Sequence, residues 1–104
     1  MRAKLYAFAA AVLVVFATPA AAETIRINVD KLAFTPAGVS AHVGDTIEWV
    51  NGDFLAHTAT ARSKEWDVMI APNKAGRLVL KRLGDIDYYC RFHPNMTGKI
   101  TVSE

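Results

Sequence analysis

The sequence contains a single cysteine among 104 residues, and this scarcity is the first constraint on its chemistry. One cysteine excludes an intramolecular disulfide. A free thiol in an oxidising compartment is a hazard unless it is buried or bound to a metal. Small domains outside the cytosol usually need a disulfide or a metal for stability, so a bound metal would answer both problems.

The sequence also lacks an apolar run long enough to span a membrane. The run over residues 5–17 has 13 residues, whereas a transmembrane helix needs about 20. Arg2 and Lys4 precede it, and small side chains end the segment at Ala22, which is typical of a signal peptide. The alternative is a membrane anchor. We predict that residues 1–22 are a cleaved signal peptide and that residues 23–104 are exported to the periplasm without stable membrane insertion.

The predicted mature chain has neither a net charge nor a basic cluster. The whole sequence has 12 Lys and Arg against 10 Asp and Glu, and removal of Arg2 and Lys4 leaves 10 of each sign. Nucleic-acid binding proteins carry clustered basic residues. We therefore expect no nucleic-acid partner, and 82 residues support one domain with a small core.

Helical periodicity is absent from residues 23–104, and short segments of alternating apolar and polar residues take its place. Such segments cover residues 25–29, 39–43, 46–50, 86–90 and 100–102. Turn signals such as Gly44-Asp45 separate them, while residues 32–38 are predicted to be an irregular crossing and residues 72–76 a loop. The pattern predicts an all-β Greek-key sandwich of seven or eight strands.

Three soft or borderline metal donors lie close together near the end of the chain. Cys90, His93 and Met96 form a Cys-x2-His-x2-Met motif, which a short loop could turn onto one point. A second histidine, His57, is available upstream. Two imidazoles, one thiolate and a weak axial thioether are the ligand set of blue-copper electron-transfer centres. We predict one copper ion bound by these four residues, whereas His42 is predicted to be a surface residue.

Other interpretations of the same residues are less demanding. Cys90 could be an ordinary buried thiol, Met96 core filler and His57 a loop residue. Zinc is the competing metal, although zinc usually takes a harder fourth ligand than a thioether. A site made wholly of protein donors leaves no open position for a substrate, so we do not expect an enzyme.

The chain resembles the cupredoxin family, and within it the amicyanin and pseudoazurin groups. Residues 43–51 resemble the family's Val-Gly-Asp-Thr-x-x-Trp-x-Asn stretch, and Asn51 stands six residues before His57. Residues 90–100 match the short ligand loop of amicyanins, including the proline after the histidine. The resemblance covers nearly all of the predicted mature chain.

This resemblance implies an eight-stranded sandwich with copper near one end. It makes His57, Cys90 and His93 the strong ligands, Met96 the long axial one, and Asn51 the residue that ties the His57 loop to the Cys90 loop. There are departures: Ala56 and Phe92 stand where prolines are common, and Ile86 stands where many relatives have tyrosine. None of them removes a ligand.

The resemblance also implies a function. We expect a monomeric periplasmic protein that carries single electrons through His93 and an apolar surface around it. Partners would be an amine dehydrogenase or a reductase and a c-type cytochrome. A copper-binding protein for storage, delivery or resistance would use the same ligands and is the alternative. A structural sandwich with a vestigial site is the third hypothesis.

Overall fold

The computed structural model describes residue 3, residues 10–13 and residues 21–104. The predicted signal peptide, residues 1–22, lies mostly outside the described residues. Among those that are described, no helix is long and apolar enough to cross a membrane. This part of the chain forms nine strands: β1 Thr24–Asp30, β2 Ala33–Thr35, β3 Gly38–His42, β4 Thr46–Asn51, β5 His57–Ala61, β6 Asp67–Ile70, β7 Ala75–Val79, β8 Gly84–Cys90 and β9 His93–Ser103.

The strands form two mixed sheets packed face to face. One sheet has the order β2-β1-β4-β7 and the other β3-β9-β8-β5-β6. Two neighbouring pairs, β1 with β4 and β3 with β9, are parallel, while the other pairs are antiparallel. The all-β sandwich expected from the alternating segments is thereby confirmed.

The alternation of apolar and polar residues decides which side chains enter the core. In β1, Ile27 and Val29 are fully buried, whereas their neighbours Arg26 and Asn28 are exposed. Successive strand residues point to opposite faces of a sheet, so one face of β1 packs inward. The same rule buries Trp49 on β4 and fills the space between the sheets with aliphatic and aromatic side chains.

Tyr88 lies at the centre of an aromatic cluster in this core. Its hydroxyl accepts a hydrogen bond from Trp49 Nε1 over 3.3 Å, and its ring packs edge-on against Trp49 and Phe34. Burial raises the pKa of Tyr88 to about 12, against a smaller lowering by the Trp49 hydrogen bond. Gly98 lies opposite Tyr88 on β9, where a Cβ atom would stand 2.3 Å from the tyrosine ring. Only glycine leaves room for this ring.

Three local predictions were wrong. Residues 32–38 are not wholly irregular, because β2 pairs with β1 through Val29 and Phe34 and raises the strand count to nine. The loop predicted over residues 72–76 ends earlier, since Ala75 and Gly76 already pair with β4. The strand segment predicted over residues 39–43 ends one residue early, because β3 ends at His42 and Val43 is 44% exposed in the turn that follows.

Four strand ends meet at one end of the sandwich. β4 ends at Asn51 and β5 begins at His57, so the loop between them lies at this end. β8 ends at Cys90 and β9 begins at His93, and β5 pairs with β8 in the same sheet. The fold therefore brings the two segments that contain the predicted ligands together.

Candidate metal centre

The ligand motif lies on a tight hairpin rather than on a long loop. Only Arg91 and Phe92 separate the strands, because Cys90 closes β8, His93 opens β9 and the two residues pair across the turn. The short loop predicted after Cys90 is thus confined to Arg91 and Phe92, and β9 begins at His93. A register shift at Tyr89 and Cys90 interrupts the regular ladder, and such bulges redirect side chains.

Three predicted ligands converge at this end of the sandwich. Cys90 Sγ lies 3.8 Å from His57 Nδ1 and 3.9 Å from His93 Nδ1. One donor atom from each of the three residues lies within 4.8 Å of the others. His57 and Cys90 are fully buried and His93 is half-buried, so one imidazole reaches the surface.

Met96 is the fourth predicted ligand. Its side chain is buried on β9 at 2% exposure. Met96 and His93 border the same surface depression of about 310 Å³, together with Leu32 and Phe92. Met96 therefore belongs to the same end of the molecule as the other three residues.

A carboxylate fixes the orientation of His57. Asp53 Oδ2 lies 2.8 Å from His57 Nε2, and the imidazole is inaccessible to solvent. When Nε2–H donates to this carboxylate, Nδ1 carries the lone pair and faces Cys90. Sequence analysis missed Asp53. The signal was an acidic residue four positions before the histidine, but the pairing depends on how the loop folds.

Asn51 has a different role from the one expected. Its side-chain nitrogen donates to the carbonyls of Leu55, Ile70 and Ala71 at 2.8–3.3 Å, and its Oδ1 accepts the N–H of Asp53. These bonds join the His57 loop to the end of β6. The predicted tie from Asn51 to the Cys90 loop is not among them, because the side chain points toward β6.

Thr58 provides the connection that was assigned to Asn51. Its backbone N–H points at Cys90 Sγ from 3.4 Å, and its hydroxyl oxygen accepts the N–H of Arg91 over 2.8 Å. This N–H supplies the sulfur with a hydrogen-bond donor from β5. Thr58 is fully buried on β5. Sequence analysis missed it because nothing in a Thr-Ala-Thr segment distinguishes this threonine from a packing residue.

The hydroxyl of Thr58 belongs to a closed circuit of hydrogen bonds. Thr60 donates to Asp67 Oδ1 over 2.6 Å, which leaves Thr58 as the donor across the 3.0 Å between the two hydroxyls. Arg91 closes the circuit through its side chain, which reaches the same carboxylate oxygen over 3.1 Å. The Thr60 bond, followed by that of Arg91, lowers the pKa of the Asp67 carboxyl.

This donor set fits copper better than zinc. Two imidazole nitrogens and a thiolate suit either metal, but a buried thioether as the remaining donor suits copper. Both imidazoles present Nδ1 to the sulfur, so no side chain has to be repositioned to present a nitrogen. His42 stands apart from the cluster, as predicted, with its side chain 66% exposed beside Asp45.

Comparisons with known proteins agree with the fold. The family model described as "Cupredoxin-like domain" matches residues 4–102. Amicyanin of Paracoccus versutus is 26% identical over 87 residues, which cover 78% of this chain but only 66%, just under two thirds, of that relative. The methylamine utilization protein MauL of Methylorubrum extorquens is 30% identical over 92 residues, covering 85% of this chain and 81% of MauL.

A solved structure shows the same architecture. The reduced Cu(I) form, at pH 4, of a proline-to-glycine mutant of amicyanin superposes with a TM-score of 0.68 at 28% identity. The superposition covers 77% of this chain and 82% of that one. The overall fold is therefore shared with a copper-bearing relative.

Proposed function

The chain belongs to the cupredoxin-like family, and from this we propose that it is a small type 1 blue copper protein that carries single electrons between redox partners. The observation that carries the proposal is the convergence of His57, Cys90 and His93 within 4.8 Å at one end of a β-sandwich. The cofactor is one copper ion. Its strong ligands would be these three residues, with Met96 as the weak axial ligand.

The chemistry of the site follows from its donors. Copper supplies a one-electron couple, because it is stable as Cu(I) and as Cu(II). The thiolate and thioether suit the reduced ion and the imidazoles suit both, so the set serves each state adequately. Asp53 holds one imidazole and Thr58 holds the cysteine segment, which keeps the donors in place when the charge of the site changes. Little rearrangement favours rapid electron exchange.

The protein is not an enzyme. The four donors are all protein atoms, and three of them lie on residues that are buried or nearly so. A catalytic metal site keeps a position open for substrate or water. Here each position around the ion is assigned to a side chain, which suits electron transfer and not bond chemistry.

Electrons would enter and leave through the exposed edge of His93. Leu32, Phe92 and Pro94 line the surface depression beside it, and Phe92 is 49% exposed. Phe54 and Leu55, which are 84% and 47% exposed, lie at the same end of the sandwich on the loop that leads to His57. Short-lived redox encounters use small interfaces. An apolar surface of this kind provides contact without strong electrostatic steering, and we call it the His93 patch.

The setting is proposed from the leader and the relatives. Residues 1–22 would direct export to the periplasm, where the protein would act as a monomer. A quinone-cofactor amine dehydrogenase or a reductase would be the donor or acceptor on one side, and a c-type cytochrome the partner on the other. Similarity to amicyanin and to a methylamine utilization protein supports the amine dehydrogenase over a reductase.

The test is a visible spectrum of the exported protein after addition of copper(II), beside Cys90→Ser. An intense blue absorption band in the wild type and none in the variant would support thiolate–copper coordination. Absence of the band in the wild type would overturn the proposal. Colourless protein that purifies with zinc after growth in copper would overturn the choice of metal.

A copper storage or delivery protein with the same ligands would pass this first test. Repeated oxidation and reduction in the presence of a competing copper(I) chelator separates the two functions. A carrier keeps its copper through the cycles, because both oxidation states are held. Loss of copper to the chelator at the first reduction would support a function in copper delivery instead of electron transfer.

A further inference from the structure

The first strand begins at a residue whose backbone is held by a buried carboxylate. The N–H of Glu23 donates to Asp45 Oδ1 over 2.9 Å, and the N–H of His42 donates to Oδ2 over 2.8 Å. Asp45 is only 4% exposed. The carbonyl of Glu23 accepts the N–H of Thr46 over 2.8 Å. Both backbone groups of Glu23 are therefore fixed at the start of β4.

This contact lies at the bond where the leader is predicted to be cut. Ala21 and Ala22 are exposed and precede β1, which begins at Thr24. Hydrolysis of the bond between Ala22 and Glu23 by a peptidase consumes one water. Ala22 leaves as a carboxylate, and Glu23 retains the nitrogen, which becomes an α-ammonium group near neutral pH.

We propose that Asp45 is a built-in acceptor for the processed N-terminus, so that removal of the leader creates an ion pair between the α-ammonium group of Glu23 and the buried carboxylate of Asp45. The fold is then more stable after processing than before it. This inference does not use the copper site, and its test is independent of the proposed electron-transfer function.

The surroundings favour the charged pair over a neutral one. Charge-assisted hydrogen bonds between an ammonium and a carboxylate are stronger than those from an amide. Desolvation opposes the burial of charge, but Glu23 is exposed, so the remaining ammonium protons stay in water. The N–H donors of Glu23 and, next, of His42 lower the pKa of the Asp45 carboxyl, which is ionised when the new terminus forms.

The pair should give the processed chain a characteristic pH dependence. The titratable groups that face the α-ammonium are Asp45, the side chain of Glu23 itself and the imidazole of His42, 3.7 Å from Asp45. An α-amino group has an ordinary pKa of about 7.7–8.0. The ion pair raises the folded-state value, so its stabilisation is complete below about pH 7.7 and is lost as the pH rises through the folded-state pKa.

The experiment compares full mature chains that begin at Glu23 with chains that begin at Ala22, each with and without Asp45→Asn. The additional alanine restores a neutral amide at Glu23 and moves the ammonium group one residue away. Guanidinium unfolding is measured at about pH 7 and about pH 9.5. We expect the unfolding equilibrium constant to be about fivefold smaller for the Glu23 chain at the lower pH. The difference should shrink at the higher pH and disappear with Asp45→Asn.

A second comparison covers the case in which Asp45→Asn does not fold. N-acetylation of the Glu23 chain removes the charge and leaves Asp45 intact, and it should reproduce the lower stability of the Ala22 chain. An NMR titration of the α-amino group should give a pKa above 8. Equal unfolding constants for the Glu23 and Ala22 chains at pH 7, an unshifted α-amino pKa, or an exported protein whose mass begins at another residue would each overturn the inference.

Discussion

The backbone N–H of Thr58 points at the sulfur of Cys90 from 3.4 Å, while the side chain of the same threonine accepts the N–H of the residue that follows the cysteine. One residue on β5 thus holds the end of β8 at two successive positions. The first contact gives the sulfur of Cys90 a hydrogen-bond donor, and the second fixes the backbone that directs this side chain. The two effects act on different atoms of Thr58, so they can be separated by substitution.

Thr58→Val removes the hydroxyl and keeps the backbone N–H in place. The N–H of Arg91 then loses its acceptor and the threonine circuit opens, so the free energy of unfolding should fall by about 1–2 kcal/mol. The blue band should remain, because the contact to sulfur comes from the backbone. Guanidinium unfolding and the visible spectrum provide the measurements. Thr97→Val, at an exposed position of β9, is the matched control, and equal stability of both variants would show that the circuit contributes nothing.

Asp53→Ala should weaken copper binding through His57. Without the carboxylate, the buried Nε2 has lost its partner, and Nδ1 is no longer fixed toward the metal. Loss of such a contact behind a ligand usually costs about 10–100-fold in metal affinity. Competition with a copper(II) chelator measures the copper affinity. The affinity of Asp53→Asn should lie between those of the wild type and Asp53→Ala. Asp85→Ala removes an exposed carboxylate from the start of β8 as a control. An affinity unchanged by Asp53→Ala would contradict the role of this carboxylate.

Phe92→Glu should slow electron self-exchange while leaving the copper spectrum intact. Two molecules exchange electrons through their His93 patches, so a negative charge on each patch makes the encounter repulsive. We expect a decrease of about tenfold or more in the exchange rate at low salt. Line broadening in NMR spectra of mixed oxidation states reports this rate. Val79→Glu is the control, since Val79 is 50% exposed at the opposite end of the sandwich. If both variants exchange at the same rate, electrons leave elsewhere.

Gly98→Ala should destabilise the fold, whereas Gly38→Ala should not. A methyl group at position 98 would stand 2.3–2.6 Å from the ring and hydroxyl of Tyr88, which cannot retreat without leaving Trp49. Overpacking of this kind costs about 1–3 kcal/mol. At Gly38, on β3, no atom beyond its chain neighbours lies within 4 Å of the added carbon. Chemical unfolding of the two variants makes the comparison, and equal stabilities would contradict the assigned contact.

The buried phenol of Tyr88 should make the folded state less stable at alkaline pH. Burial raises the pKa of Tyr88 to about 12, above its ordinary value of 10.0. The neutral phenol is favoured in the folded state, so this contribution is complete below pH 10 and is lost as the pH rises from 10 to about 12. The loss amounts to about 2–3 kcal/mol. Between pH 10 and about 12, the free energy of unfolding should fall more steeply with rising pH for the wild type than for Tyr88→Phe. Parallel curves would show that the phenol titrates normally.

The architecture and the four ligand candidates were accessible from the sequence because both depend on local patterns. The alternation around Ile27 and Val29 reports burial directly, and the spacing of Cys90, His93 and Met96 fits one hairpin. β2 was missed because three residues give too little alternation to recognise. The hairpin was predicted as a loop because the pairing of Cys90 with His93 is not visible in the local sequence pattern.

The contacts that support the site could not be predicted from the sequence in the same way. Asn51 was placed correctly as a polar residue next to the His57 loop, yet its partners depend on where β6 ends. Thr58 and Asp53 act through distances between segments that are separate in the sequence. Such contacts depend on how the two sheets pack together, and a short stretch of sequence does not reveal this packing.

The parallel pairing of β3 with β9 has a consequence for how the chain reaches its final form. Gly38 lies beside Lys99, so β3 has no neighbour in its sheet until β9, which follows it far along the chain, is in place. Contacts this distant in sequence form slowly, because a long loop must close before they contribute. A chain that stops before β9 leaves β3 without its neighbour in this sheet. We therefore expect β3 to be among the last strands to join the sandwich as the chain folds.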